Sequence, residues 1–338
     1  MSYNILAQAL IKRELFPHSG NALKWKGRKT MLLEEFKAYK PDIMCLQEVD
    51  HVEDFFEDKL KALGYSFEYY KHPSKLHGCL IAYQHNTFTK LQYDEIDYDA
   101  IKMYLPTQIT GNIAQCIALK HIESQQGLVI GNTHLYWRPQ SFYERLRQSS
   151  IYIQTTQDIL TSLKHSHPDI NWNFVLAGDL NTTPTDPTYG SVIGNPLTNV
   201  QKSWLEWSRR EITEDEEIPD NIETAAPPPK PTDADDSGLF PIEALQEMIS
   251  GYPALKSVYS SYGKIDENSV QIYGEPKFTH YGTFFKGTLD YIFIAADGKL
   301  ECKELLKLPS EKDMEPGLPN GLFGSDHVPL MCRFSFKS

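Results

Sequence analysis

The chain contains no apolar run long enough to cross a bilayer, and its first residues, MSYNILAQALIKRELF, lack the basic, apolar, small-residue order of a secretion signal. Neither membrane insertion nor secretion is expected. Cysteine is scarce and has no pairing pattern: Cys45, Cys79, Cys116, Cys302 and Cys332 are widely spaced and form no CxxC motif. A disulfide framework or thiolate zinc site is thereby excluded as the organising principle, and reduced thiols in a cytosolic or nuclear compartment are expected. Four of the five lie in apolar, strand-like runs, where a buried structural thiol is the simplest role. Positive charge is also in short supply. With 33 Lys and Arg against 45 Asp and Glu, the formal charge is −12, which argues against a broad basic face for nucleic acid. A groove that grips a few phosphates through a metal ion needs no such face.

What the sequence does hold is an alternation of short apolar runs and helical patterns. Runs rich in β-branched and aromatic residues, bounded by turn residues, predict strands over 3–6, 43–47, 79–83, 114–119, 128–133, 173–177, 289–294 and 328–334. Phe142, Leu146, Ile153, Leu160 and Leu163 recur at helical spacing and predict a helix over 142–165, with others over 28–39 and 51–63. Many strands with fewer, interspersed helices imply two sheets packed face to face with helices outside. One segment departs from this pattern. Between Glu211 and Asp236 there are ten acidic residues, one lysine and the string PPPKP, the composition of a solvated, disordered loop. It is read as an insertion into one domain covering residues 1–338, because candidate site residues lie on both sides of it.

Polar residues appear abruptly at the ends of the apolar strands. NFVLAG (Asn173–Gly178) runs into Asp179, Leu180 and Asn181; IMCLQ (Ile43–Gln47) runs into Glu48; LVIGNT (Leu128–Thr133) runs into His134. Asp290 stands inside a strand, and Asp326 and His327 precede the last one. Each alone is more often a cap or turn residue than a functional one. Together, Asn4, Glu48, Asp179, Asn181, Asp290, Asp326 and His327 are hard oxygen donors with one imidazole, an inventory suited to Mg²⁺ or Mn²⁺. No P-loop, dinucleotide fingerprint or serine nucleophile elbow competes with them.

The strings SYNILAQ, PDIMCLQEVD, NTHLYWRP, GDLNTTP, FKGTLDYIF and GSDHVPL occur in that order between residue 2 and residue 330. As an ordered set they resemble the endonuclease/exonuclease/phosphatase superfamily, in particular its deadenylase, nocturnin and Angel branch. LAQALIKRELFP and HGCLIAY are most similar to the fungal Ngl-type RNA exonucleases. The resemblance implies a four-layer α/β sandwich of the DNase I-like kind, with the site at one end of two central mixed sheets.

It also implies roles. Glu48 would be the principal ligand of a Mg²⁺ ion (Mn²⁺ substituting), with Asn4 beside it and Asp326 in support. Asp179 would orient or deprotonate the attacking water, and Asn181 would hold the scissile phosphate or a second metal. His327, steered by Asp290, would stabilise the developing charge. Substrate grip would come from His134, Arg138, Pro139, His280 and Phe285, with Pro139 and Phe285 sandwiching a terminal base; Trp137 is expected to pack in the core. The implied activity is hydrolytic 3′→5′ removal of 5′-mononucleotides from single-stranded RNA 3′ ends. Two alternatives remain: a phosphatase or phosphodiesterase acting on a small nucleotide or a 2′,3′-cyclic phosphate end, and a catalytically silent RNA-binding protein. His77 stands where deadenylases carry Asp before Gly-Cys, and His280 where Asn is common, so strict poly(A) specificity is not expected. No leucine-rich-repeat adaptor region is encoded, and a monomer is expected.

Overall fold

In this computed structural model residues 1–213, 216, 225–231 and 234–336 are described. The first sheet joins β1 (Ser2–Asn4), β2 (Ile43–Val49), β3 (Tyr65–Tyr70) and β4 (Gly78–Gln84), in the order β1-β2-β4-β3. The second takes β5 (Phe88–Asp97), β6 (Ile113–His121), β7 (Gln126–His134), β8 (Asn171–Asp179) and β9 (Leu255–Ser257). After the hairpin strands β10 (His280–Tyr281) and β11 (Lys286–Gly287), it is completed by β12 (Asp290–Ala295), giving the order β5-β6-β7-β8-β12-β9. β13 (Leu300–Leu305) and β14 (Cys332–Phe336) form a separate antiparallel pair. Both sheets are mixed: β1 pairs β2 and β7 pairs β8 in parallel, and the other pairings are antiparallel.

Strand alternation sorts the side chains into three apolar layers. Cys45, Ile81, Ile117, Ile130, Val175, Ala177 and Ile292 point inward and bring the two sheets together. Met44, Leu46, Leu80 and Ala82 point outward and are covered by Leu32 and Phe36 of helix α1 (Trp25–Tyr39), with Leu60 of α2 (Glu57–Ala62). On the far side Cys116, Val129, Phe174, Leu176 and Phe293 pack under α3 (Phe142–Ser166), α4 (Pro187–Val192), α5 (Asn199–Trp207) and α6 (Ile242–Ser250). A short α7 (Glu311–Met314) completes the helices. Helix, sheet, sheet, helix is the four-layer α/β sandwich expected from sequence. No described helix is long and apolar enough to cross a membrane.

The differences from the sequence reading have local causes. β3, β5 and β13 escape it because all three are only partly buried; in β5 only Phe88 and Ile96 are buried, so it lacks a clean apolar alternation. The last strand begins at Cys332 rather than at residue 328, because the chain before it makes single bridges, His280 to His327 and Ser2 to Leu330, that tie it to β10 and β1. Cys332 is correspondingly half-buried, whereas Cys45, Cys79 and Cys116 are buried. Of the acidic insertion, residues 214, 215, 217–224, 232 and 233 lie outside the described residues. Its described stems are anchored: Arg210 pairs with Glu216, the Trp204 indole donates to the Ala225 carbonyl at 2.9 Å, and Lys230 meets Asp236 at 2.9 Å.

Arg28 connects the two ends of the sequence. Fully buried near the start of α1, it donates from Nε to the Gly324 carbonyl at 2.6 Å, from Nη2 to the Ile5 and Leu6 carbonyls, and from Nη1 to Gln8 at 3.0 Å. Its hydrogen-bond partners are backbone carbonyls and an amide rather than a carboxylate. Removing it strands several buried acceptors, each costing about 1–3 kcal/mol. Arg28→Met is expected to lower unfolding stability by about 3 kcal/mol in a denaturant titration; a loss below about 1 kcal/mol would contradict this role.

Candidate active site

The strand registers bring the site together. β7 and β8 run parallel with His134 opposite Asp179, and β12 runs antiparallel to β8 with Asp290 opposite the same Asp179. β1 and β2 end at the same edge with Asn4 opposite Gln47, one residue before Glu48. Polar bonds pin the two sheets there: Gln47 Nε2 donates to Asn132 Oδ1 at 2.7 Å, and Asn132 Nδ2 donates to the Leu46 and Leu80 carbonyls.

Asp179 lies at the centre, 1% exposed. One oxygen accepts from Asn4 Nδ2 at 2.9 Å and faces His134 Nε2 at 3.5 Å and His327 Nε2 at 3.7 Å; the other accepts the Asn181 backbone N–H at 2.9 Å. Gly178 precedes it with φ 154°, and a Cβ there would lie 2.2 Å from the Thr133 carbonyl, so a side chain at this position would push the catalytic strand end out of register. Burial raises the Asp179 carboxyl, the neighbouring Asp290 raises it further, and His134, His327 and Asn4 oppose the shift.

Glu48 sits where β2 slips register against β4, with φ 55°. This bulge turns its carboxylate toward β1, where Ala7 N–H and Asn4 Nδ2 hold one oxygen each, at 3.0 and 3.1 Å. Leu6 (φ 56°) and Asn181 (φ 49°) are also left-handed. Three non-glycine residues in that region around one site store about 1–3 kcal/mol of strain each, held by the surrounding packing.

His327 donates from Nδ1 to Asp290 at 2.8 Å. Burial alone would push its imidazole down; the Asp290 carboxylate, with Asp179 and Asp326, outweighs this and raises it to about 10. The pairing with Asp290 therefore favours the protonated imidazolium. Asp326 lies 3.4 Å from His280 Nε2, and these partners overcome the cost of burial to hold its carboxyl at about 2. The Ser325 hydroxyl donates to the Asn4 carbonyl at 2.7 Å, docking this loop on β1. The His280 ring stands 4.7 Å from that of His327 and 5.6 Å from that of Phe285.

Asn4, Glu48, His134, Asp179, Asp290 and His327 thus form one contact network, extended by Asp326, His280 and Phe285. Asn181 joins it through its backbone; its Nδ2 donates to the Leu135 carbonyl at 2.9 Å. Arg138 is turned toward the insertion stem. Its guanidinium lies 5.8 Å over Trp137 and donates to the Ile212 carbonyl at 2.5 Å. Pro139 is exposed, and its carbonyl accepts from Arg145 at 2.8 Å. Trp137 is not a core residue: 60% of it is exposed. The sequence reading passed over Arg145, which holds the Arg138 and Pro139 carbonyls and is anchored on Asp186 at 2.7 Å. The signal was a guanidinium three residues from Phe142 on the buried face of a helix. His77, whose ring is 6.1 Å from that of His134, is pushed down to about 4 by burial, with His134 adding to the shift against Glu48.

The donor set fits a divalent cation. Asp179, Asp290 and Asp326 each bring a carboxylate oxygen within 4.8 Å of a ring nitrogen of His327, and Asn4 Nδ2 bridges Asp179 to Glu48. Asp290 Oδ1 is buried without a hydrogen-bond partner, while Arg28, which lies within reach of the Asp326 and Glu48 charges, directs its N–H groups elsewhere. Buried carboxylates with a single imidazolium between them favour a hard cation.

A sequence profile described as the Endonuclease/Exonuclease/phosphatase family matches residues 1–327. The chain belongs to this family. It is 31% identical to a probable RNA exonuclease of Schizosaccharomyces pombe, over 98% of this chain and 75% of that protein. It is 29% identical to the RNA exonuclease NGL2 of Saccharomyces cerevisiae, over 100% and 78%. Its structure resembles that of ANGEL2, described as a 2′,3′-cyclic phosphatase in complex with adenosine-2′,3′-vanadate. The TM-score is 0.73 at 26% identity, covering 100% of this chain and 95% of that one. The human Nocturnin catalytic domain with bound sulfate gives 0.60 at 25%, covering 99% and 92%.

The Asp290–His327 pair has a pH signature in metal-free protein. A histidine raised from about 6.5 in the unfolded chain to about 10 contributes stability that is complete below pH 6.5 and lost as pH rises toward 10. In EDTA, the melting-temperature advantage of wild type over Asp290→Asn is expected to shrink steadily across that window. A constant difference would show that the pair does not hold the proton.

Proposed function

We propose that this protein is a metal-dependent 3′→5′ exoribonuclease that hydrolyses phosphodiesters at single-stranded RNA 3′ ends and releases 5′-mononucleotides, with residues 1–338 acting as one catalytic unit. The observation that carries this is the buried Asp179, held between Asn4, His134 and His327, beside a paired Asp290–His327. Family membership and the named RNA exonucleases among the relatives support the substrate class.

Glu48 with Asn4, supported by Asp326, would hold the ion, which supplies Lewis-acid polarisation of the phosphate and neutralises charge on its oxygens. His327, protonated through Asp290, is a donor and not an acceptor; its Nε2 hydrogen-bonds a phosphate oxygen as negative charge builds. Asp179 is left to orient water and take its proton, a role suited to a carboxyl raised by burial. Water oxygen bonds to phosphorus, the bond to the 3′-oxygen of the preceding nucleotide breaks, and that oxygen is protonated from solvent. Asn181 helps retain the phosphate. Pro139 and Phe285 offer flat, exposed contacts that any base can use, so affinity does not require a particular sequence. The imidazoles of His77 and His280 are the base-edge donors and acceptors beside this site, in keeping with a preference that is not confined to poly(A).

The likeness to ANGEL2 favours a second reading, action on a 2′,3′-cyclic phosphate end. Labelled RNAs ending in a free 3′-hydroxyl, a blocked 3′ end or a 2′,3′-cyclic phosphate separate the two. Stepwise shortening of the hydroxyl-ended RNA alone, abolished by EDTA, is expected; opening of the cyclic phosphate without shortening would replace the proposal with its rival. Glu48→Ala should reduce turnover by at least about 10³-fold with the fold retained, and Asp290→Asn should lower kcat more than it raises KM. Near-native turnover in either folded variant would remove that residue from its assigned role.

A further inference from the structure

Of the five tryptophans, Trp172, Trp204 and Trp207 are buried and Trp25 stacks on His51 at 4.4 Å. Trp137 alone is left largely in water, 60% exposed, and its surroundings hold it there. Three residues upstream, His134 ends β7 within 3.5 Å of Asp179. Immediately downstream, Arg145 binds the Arg138 and Pro139 carbonyls and is itself held by Asp186. The buried Tyr136 ring meets the indole edge-on at 6.4 Å, and the Arg138 guanidinium lies 5.8 Å over it. An indole fixed between a site histidine and a pinned proline, carrying a cation on its face, is a preorganised stacking platform.

The same segment walls a cleft of about 700 Å³. Its other lining is Gln108, Thr213, Glu211 and Ile109, the last 73% exposed, and the insertion stem forms one wall where Arg138 binds the Ile212 carbonyl. The volume lies within the range of small-molecule sites, and the amide and hydroxyl groups can meet the edge of a base. In a chain of net charge −12, a guanidinium seated on an exposed indole is a local feature suited to a phosphodiester strand, where stacking and a nearby cation act together.

We propose that Trp137 and Arg138, with this cleft, form a second nucleotide subsite, which takes the base next to the one held by Pro139 and Phe285. The inference rests on the RNA reading above and extends it: the enzyme engages at least two bases, so binding strengthens from a mononucleotide to longer single strands. The indole supplies the stacking surface, Arg138 faces the sugar-phosphate, and Gln108 and Thr213 face the base edge.

The test compares wild type, Trp137→Ala and Trp137→Phe on a single-stranded hexaribonucleotide with a free 3′-hydroxyl and, as the one-base control, on inhibition by a 5′-mononucleotide. It reads kcat and KM, and also hexamer binding in EDTA, by anisotropy of a labelled hexamer and by tryptophan fluorescence. Trp137→Ala is expected to weaken hexamer binding and raise its KM by about 5- to 100-fold, the range for loss of one stacked base, with kcat and inhibition by the mononucleotide within about twofold. Trp137→Phe should restore hexamer affinity while abolishing the fluorescence quench seen in wild type. Unchanged hexamer affinity in Trp137→Ala, absence of a quench in wild type, or equal losses for the hexamer and the mononucleotide would overturn the subsite; the first would leave the indole to another occupant, such as a protein surface. Hexamer binding through Trp137 without turnover would keep the subsite and refute the exonuclease reading, whereas turnover indifferent to Trp137 would do the reverse.

Discussion

Asp179 is a carboxylate at the centre of a sandwich that offers it almost no water, and much of the local structure serves to make that tolerable. Its two oxygens take an amide from β1 and a backbone N–H from the turn after β8, and two imidazoles flank it. A second buried carboxylate, Asp290, sits opposite it on the neighbouring strand. Alone, the pair would repel; His327 between them carries the compensating charge. The arrangement is electrostatically unfinished, since Asp290 Oδ1 and the Glu48 and Asp326 carboxylates add more negative charge than one imidazolium balances. That excess suits a divalent cation, as the proposed function requires.

Holding such a cluster requires backbone geometry that no isolated segment would adopt. Leu6, Glu48 and Asn181 are left-handed, and the Glu48 bulge exists only because β2 pairs β4 on one side and β1 on the other. Arg28 and Ser325 fasten the loop before β14 to the loop after β1, so residues more than 290 positions apart behave as one support. The strain at the site is offset by a core of three continuous apolar layers, whose side chains are sorted by strand alternation alone.

The acidic character of the chain sets how it can meet RNA. With no broad basic face, the proposed binding rests on a few placed groups rather than on a field: the proposed ion site, flat contacts at Pro139 and Phe285, and the Trp137–Arg138 pair. The insertion bears on this directly. Its stem accepts a hydrogen bond from Arg138 and walls the neighbouring cleft, so a segment that looks like solvated filler in composition shapes the approach to the site.

By itself the sequence determined the layer architecture, the long helix from residue 142 and the roll of polar residues at strand ends, because these are written in local periodicity and in short ordered motifs. The buried strands were legible since both faces are covered and read as apolar runs; β3, β5 and β13 were not, because partly buried strands lose that signal. Tertiary structure alone decided how the polar residues are used. Register set His134 and Asp290 on either side of Asp179, a relation between strands that no single segment encodes. Long-range hydrogen bonds turned Arg28 toward carbonyls. Whether a residue two positions before Pro139 is core or platform depends on what else reaches that edge; Arg145 and the insertion stem pin the loop, and Trp137 stays in water.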